Sequence, residues 1–329
     1  MVRGTFSPAR AWRPAVVSRL ARTLGRMNTL PAFPPAVHRY VASAFGRANR
    51  RVCEKIARTP NCSEPSLDMT LVEQMSQYGG PQVVAPGWAV RIDIHYLGGL
   101  RHFRTWEVAD IGLLVFAKQG ASVVAKKTAL LQSKRLYPNT GGIAEESPED
   151  YQIGFGGLLP RAASSRSLAL SHKFDFTNKS KYKALRVGDD QYQAIANYED
   201  HHKLDVHYLL YNPWSIDVSY SFPRRGKVAL GPRANGGCQV IPAASLRAAM
   251  SSKPDGYSPS FAELSLASNL DLPGSGGWRL EKFVSSLLLK CKQGNLFESL
   301  DQENIFALFN RRSGPIAAAV AVTVEQFAG

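Results

Sequence analysis

Residues 106–138 read WEVADIGLLVFAKQGASVVAKKTALLQSKRLYP. Two runs rich in Val, Leu, Ile and Phe, Val108 to Ala117 and Ser122 to Leu136, flank Lys118-Gln119-Gly120-Ala121, a turn-forming step, so the stretch predicts a β-hairpin. Side chains alternate between faces along a strand. Gln132 and Lys134 therefore share one face of the second strand; on the first, Asp110 lies with Gly112 and Leu114, while Glu107 points the opposite way. The expectation is a carboxylate, Asp110, on the adjacent strand and facing a common cleft with Gln132 and Lys134.

A carboxylate on one strand, then an acid or amide, any residue and a lysine on the next, resembles the PD-(D/E)xK nuclease superfamily, the restriction-endonuclease-like proteins. The match is a variant. Gln132 stands where the family usually has Glu, and Ala109 rather than proline precedes Asp110. The flanking segments follow the same order. Upstream, SEPSLDMTLVEQM places Leu67, Leu71, Val72 and Met75 at helical spacing behind Ser63 as N-cap, with Glu64 at the start, where many family members carry a glutamate. Downstream, Asp189-Asp190 caps a helix through DDQYQAIANYED, and LDVHYLLYNPWSI reads as a buried strand ending at Asn212-Pro213. The resemblance covers about Glu64 to Trp214. It implies an α/β fold: a restriction-endonuclease-like core with a central mixed β-sheet flanked by helices, plus N- and C-terminal elaborations.

The resemblance also implies a chemistry, divalent-metal-dependent hydrolysis of phosphodiester bonds in nucleic acid, DNA first, in restriction or defence. Mg²⁺ (or Mn²⁺) is hard and takes oxygen donors. Asp110, the side-chain oxygen of Gln132 and the main-chain carbonyl of Ser133 would form half its shell. Lys134 would polarise the attacking water or stabilise the charged transition state, and Glu64 would orient water or hold a second ion. The catalytic set is thus Asp110, Gln132, Lys134 and Glu64. Gln132 leaves the metal shell one negative charge poorer than a glutamate would. A second reading is therefore a catalytically silent, nuclease-like module that binds nucleic acid or a protein partner. A third is an unrelated structural domain in which QSK is incidental.

With 329 residues, 44% of them hydrophobic, the chain can bury a substantial core. No apolar run reaches the roughly 20 residues that span a bilayer, so no membrane partner is expected. Cys53, Cys62, Cys238 and Cys291 lie far apart without a CxxC pair, which indicates neither a zinc site nor a disulfide framework and fits a reducing cytoplasm. GxSxG and HExxH are absent, and His201-His202 reads as a solvated pair at a helix end. The net charge is +14, but residues 1–60 hold twelve Lys/Arg and one acid, Glu54, so most of the excess lies there. Arg3 to Arg26 read equally as a phosphate-binding arm, as a targeting segment, or as residues before a true start at Met27.

Along the chain these signals divide into the arm at 1–28, a helix within 29–60, a nuclease-like core at 61–215 with a loop insertion near 139–170, and a C-terminal α/β elaboration at 216–329. The Arg/Lys face of AVHRYVASAFGRANRRVCEKIAR reads as solvated surface. GWAVRIDIHYL alternates as a strand, with Val90, Ile92, Ile94 and Tyr96 on one side and Arg91, Asp93 and His95 on the other, where Asp93 and His95 read either as lining the Asp110 cleft or as an exposed polar face. Gly154-Phe155-Gly156-Gly157 reads as a turn rather than a phosphate loop, since no GK[ST] follows. Lys173, Lys181 and Lys183, interleaved with Phe174, Phe176 and Tyr182, suit contact with a nucleic-acid backbone, although a surface strand over buried aromatics explains them too. Arg311 and Arg312, at a turn, are further candidate phosphate contacts. CQVIPA is a short strand candidate, GWRLEKFVSSLLLKCKQGN a packing helix, and IAAAVAVTVE a last strand.

Overall fold

The computed structural model describes residues 30–96, 108–139, 172–222, 224, 226–231, 235–267, 277–296 and 316–327. The arm at 1–28, most of the insertion with its Gly-rich run, and Arg311 and Arg312 lie outside these residues.

The architecture is α/β, a central mixed sheet flanked by helices. Its strands are β1 (Gln82–Ala85), β2 (Trp88–Tyr96), β3 (Ala109–Gln119), β4 (Ser122–Arg135), β6 (Val206–Tyr211), β8 (Gln239–Pro242), β9 (Trp278–Arg279), β10 (Asn295–Leu296) and β11 (Ile316–Gln326). The spatial order is β1-β2-β11-β3-β4-β6-β8-β9, with β10 paired to part of β4. Two neighbours, β11 with β3 and β4 with β6, run parallel, and the other pairings are antiparallel. A separate two-stranded sheet joins β5 (His172–Phe176) to β7 (Val218–Phe222).

The expected hairpin forms as β3 and β4, with a tighter turn than its sequence suggests. Pairing continues through Lys118↔Val123 and Gln119↔Ser122, past a bulge after Ala117, so the loop shrinks to Gly120-Ala121. Gly120 sits at φ 58°, the left-handed region a tight reversal uses.

β11 lies between β2 and β3, so the sheet draws strands from both sides of residue 215. Its composition fits that place: Val320, Val322 and Val324 face one layer while Ala319 and Ala321 pack beside Leu114 and Phe116 on the other. Small and β-branched residues suit a strand covered on both faces. The approach of β11 leaves no room for a side chain at Gly112, where a Cβ would stand 2.7 Å from Ile316 Cδ1.

Helices α1 (Pro35–Arg58) and α2 (Glu64–Met75) pack together and over the sheet. α1 buries Val37, Val41, Phe45, Val52 and Ile56; α2 buries Leu67, Leu71, Val72 and Met75. Full burial of each such side chain contributes about 1.5–3 kcal/mol. Ser63 occupies the N-cap position of α2 but makes no side-chain cap bond, and Pro65 starts the first turn instead. Helix α3 (Asp190–His202) is capped as its sequence suggests, Asp189 Oδ1 accepting from Tyr192 N at 2.8 Å. Short helices α4 (Ala243–Ala249) and α5 (Phe261–Ala267) follow. The expected helix after Gly277 is α-helical only over Leu280–Lys282 (α6) and then widens to a π-turn, Phe283–Leu288. No helix among the described residues is long and apolar enough to cross a membrane.

Candidate active site

Asp110 is the second residue of β3, and Gln132, Ser133 and Lys134 are near the end of the antiparallel β4. The register Ile111↔Leu131 brings that strand start and that strand end together. Asp110 Oδ2 accepts from Gln132 Nε2 at 2.6 Å, from Ser133 N at 2.7 Å and from Ser133 Oγ at 2.8 Å. Ser133 alternates to the face opposite Gln132. Asp110 and Gln132 therefore meet across the strand pair as the two-residue period predicts, and at the strand end the same carboxylate also reaches Ser133, of the other parity.

α2 supplies two more carboxylates. Glu64 Oε1 accepts from Arg135 N at 2.9 Å, and its Oε2 stands 3.5 Å from Lys134 Nζ. One helical turn on, Asp68 Oδ2 accepts from Ser133 Oγ at 2.9 Å and Oδ1 from Tyr211 OH at 2.6 Å. Tyr211 ends β6 beside Arg135 of β4. The Arg135 guanidinium donates to the carbonyls of Cys62 and Pro60, which anchors the link between α1 and α2 and so fixes where α2 begins.

Lys134 is 5% exposed and Gln132 2%. In such surroundings charge is held by neighbours rather than by water. Burial raises the carboxyl pKa of Asp110, against the Lys134 cation and the Ser133 and Gln132 donors, which pull it down. It raises Glu64 likewise, against Lys134. Asp68 is pushed furthest above the carboxylate range, by burial and then by the Asp110 charge. Ser133 Oγ carries one proton but touches both Asp68 and Asp110, so its hydroxyl satisfies one carboxylate fully at a time. The cluster is rich in negative charge for its two cations.

Gln132 adds a second imbalance. Its Nε2 is committed to Asp110, while its buried Oε1 has no hydrogen-bond partner among the described residues. An unpaired buried amide oxygen costs about 1–3 kcal/mol. Oxygen donors are what Mg²⁺ or Mn²⁺ takes, and the Gln132 Oε1 and the Asp110 carboxylate are the residues present that would hold such an ion. Carboxylates alone do not make the site: among the described residues no three His, Cys, Asp or Glu side chains are grouped to hold a metal ion.

The structure thus brings Asp110, Gln132, Ser133, Lys134 and Glu64 together. Sequence reasoning missed Asp68 and Tyr211. Asp68 had a signal, its i+4 spacing from Glu64 on one helix face; Tyr211 had none before the parallel pairing of β4 with β6 was known. Of the proposed phosphate contacts, Lys173 is exposed on the small sheet, and Lys181 is exposed with Nζ 5.3 Å from the Tyr257 ring centre. Lys183 Nζ lies 5.6 Å from the Tyr137 ring, which also carries the Arg135 guanidinium at 4.4 Å. Asp93 stands apart from the cluster and pairs with Arg91 at 2.7 Å, an ordinary exposed strand pair. No family model, curated protein or solved structure matches this chain.

Proposed function

We propose that the protein is a divalent-metal-dependent nuclease with a restriction-endonuclease-like core, hydrolysing phosphodiester bonds, DNA being the first substrate to test. The observation that carries this reading is the convergence of Asp110, Gln132, Lys134 and Glu64 at one end of the sheet, with the buried Gln132 Oε1 left unpartnered among the described residues. Mg²⁺ or Mn²⁺, held by Asp110 and Gln132 with the Ser133 carbonyl, would supply an acidified water and charge neutralisation at the scissile phosphate. Lys134, steered by Glu64, then offers its ammonium to the attacking water or to a phosphoryl oxygen as charge builds there. Ser133 and Tyr211 hold Asp68 and Asp110 in place by donating to them. Lys173, Lys181 and Lys183 would meet the phosphate backbone away from the cut. A role in restriction or defence follows from the resemblance alone.

A second reading has its own support. Asp110 Oδ2 already receives three donors, and Lys134 already faces Glu64, which is what a silent, closed network would show. Cleavage assays separate the two. Purified protein is expected to cut DNA with Mg²⁺ or Mn²⁺, to stop in chelator, and to lose cleavage in Asp110→Ala. Binding with a steep salt dependence but no cleavage of single- or double-stranded DNA or RNA with either metal would establish the binding module instead.

A further inference from the structure

The basic face of α1 reads from sequence as solvated surface, but its surroundings single it out. The link after α1 is tied to the Arg135 guanidinium through the Pro60 and Cys62 carbonyls, at the end of β4. Farther back, Cys53 Sγ donates to the Asn212 carbonyl, just past β6, and Asn49 Oδ1 accepts from Cys238 N, just before β8. The C-terminal half of α1 therefore runs along the sheet end where Asp110 and Lys134 stand. Arg39, Arg47, Arg50, Arg51 and Arg58 of α1 are exposed, and Glu54 is the only acid in the helix. At 3.6 residues per turn those five arginines occupy about a third of the helix circumference, over a rise of about 28 Å.

A solubilising helix face mixes signs. This one sets Arg47 and Arg51 one turn apart, and Arg51 and Lys55 another, where like charges repel. Arg51 has a partial partner in Glu54 at 3.5 Å; Arg39, Arg47, Arg50 and Arg58 form no ion pair with any described residue. Arg50 is also oriented. Its guanidinium lies 4.9 Å from the Trp214 ring centre, and Arg279, at the same distance from that ring, is committed to Glu281. Contact with a buried indole holds this exposed guanidinium in place before any ligand arrives, and a planar guanidinium suits phosphate oxygens.

We infer that the exposed face of α1, with Arg50 seated on Trp214, is a docking surface for a nucleic-acid phosphate backbone, laying the strand across the site. This rests on the nucleic-acid reading above. It adds a surface distinct from Lys173, Lys181 and Lys183, and it assigns most non-specific affinity to the helix beside the carboxylates.

The test uses the full chain in chelator, so that nothing is cut, with a fluorescent mixed-sequence DNA duplex titrated at several NaCl concentrations. Each lost phosphate contact lowers the slope of log affinity against log salt by about 0.9. The variant Arg47→Gln/Arg50→Gln/Arg58→Gln is expected to flatten the slope by about 2–3 and to weaken low-salt binding at least about tenfold. Its melting temperature should change little, the lost Arg50–Trp214 contact being offset in part by the relief of repulsion along the helix. Lys118→Gln, at the far end of β3 and paired with Glu325, should leave the slope unchanged. Duplex binding with an unaltered slope in the triple variant overturns this inference and leaves the nuclease reading standing. Binding of vesicles rich in anionic lipid in place of DNA, lost in the same variant, also overturns it. Failure of the wild-type chain to bind any nucleic acid removes the functional reading and this inference together.

Discussion

The side-chain amide of Gln132 donates from Nε2 to Asp110 Oδ2 across 2.6 Å, which leaves its Oε1 buried without a partner among the described residues. A carboxylate only accepts, so this orientation of the amide is the one the chemistry permits. The closed network thus leaves one acceptor of the amide unused, and that oxygen is where the proposed cation would bind.

Gln132→Glu tips that balance. Without metal it sets a second carboxylate against Asp110 and is expected to lower stability by about 1–3 kcal/mol, the cost of replacing a buried donor by a like charge. With Mg²⁺ or Mn²⁺ the added charge should strengthen binding, so melting in chelator and in metal should differ more for this variant than for the parent chain. Equal metal effects on melting in both proteins would show that no cation binds there.

Lys134→Ala is expected to abolish cleavage and to lower stability as well. Glu64 loses the nearest cation at 3.5 Å while staying largely buried. Leaving such a group unpaired costs on the order of 1–3 kcal/mol, readable by urea denaturation in chelator. Unchanged stability would mean that the ion pair contributes nothing to the native state.

Asp68→Asn should stabilise the metal-free protein above neutral pH. The Asp68 carboxyl pKa is raised by burial and by Asp110, so the native state holds this proton more tightly than the unfolded chain and loses stability as pH rises. A neutral isostere removes that loss. The gain should be on the order of 1 kcal/mol or more at pH 8 and should shrink to a few tenths towards pH 4, where the native carboxyl is protonated and the unfolded one about half so. Melting curves at pH 4 and pH 8 in chelator decide it.

His207 gives the opposite slope. It is fully buried on β6, its Nδ1 has no partner among the described residues, and burial pushes its pKa down to about 4. Between the unfolded value near 6.5 and that native value, the unfolded chain binds the proton and the native one does not, so stability falls with falling pH. The drop attributable to His207 is on the order of 3 kcal/mol by pH 4. His207→Gln should flatten the pH 4–7 stability profile relative to the parent chain; parallel profiles would rule out this titration.

The hairpin and the meeting of Asp110 with Gln132 were legible because they are local. Val, Leu and Ile at strand spacing announce β3 and β4, and a two-residue period decides which of Asp110, Gln132 and Lys134 meet. Glu64 was legible as the first residue of a helix with a clear apolar stripe. What local pattern leaves out is pairing between distant segments. Tyr211 reaches Asp68 only because β6 runs parallel to β4 in one register, and nothing in LDVHYLLYNP encodes that neighbour. The stripe of small residues in IAAAVAVTV announces a strand, but not that it belongs between β2 and β3. That the Asp110 carboxylate also reaches Ser133, of the opposite parity, likewise follows from how early in β3 Asp110 falls.

The placement of β11 also sets the order in which the molecule can be completed. Ile316 pairs with Ala109, about two hundred residues upstream, and the same strand pairs Val320 with Ile94. A ribosome releases the hairpin and β2 long before Ile316–Gln326 emerges, so the nascent chain carries two unpaired strand edges meant for a partner not yet made. Such edges invite pairing with other chains, and the Asp110 end of β3 would gain its lasting support only when that late strand slides between them. Activity should therefore appear after synthesis has passed residue 326, and a holding chaperone would be most useful in the interval before.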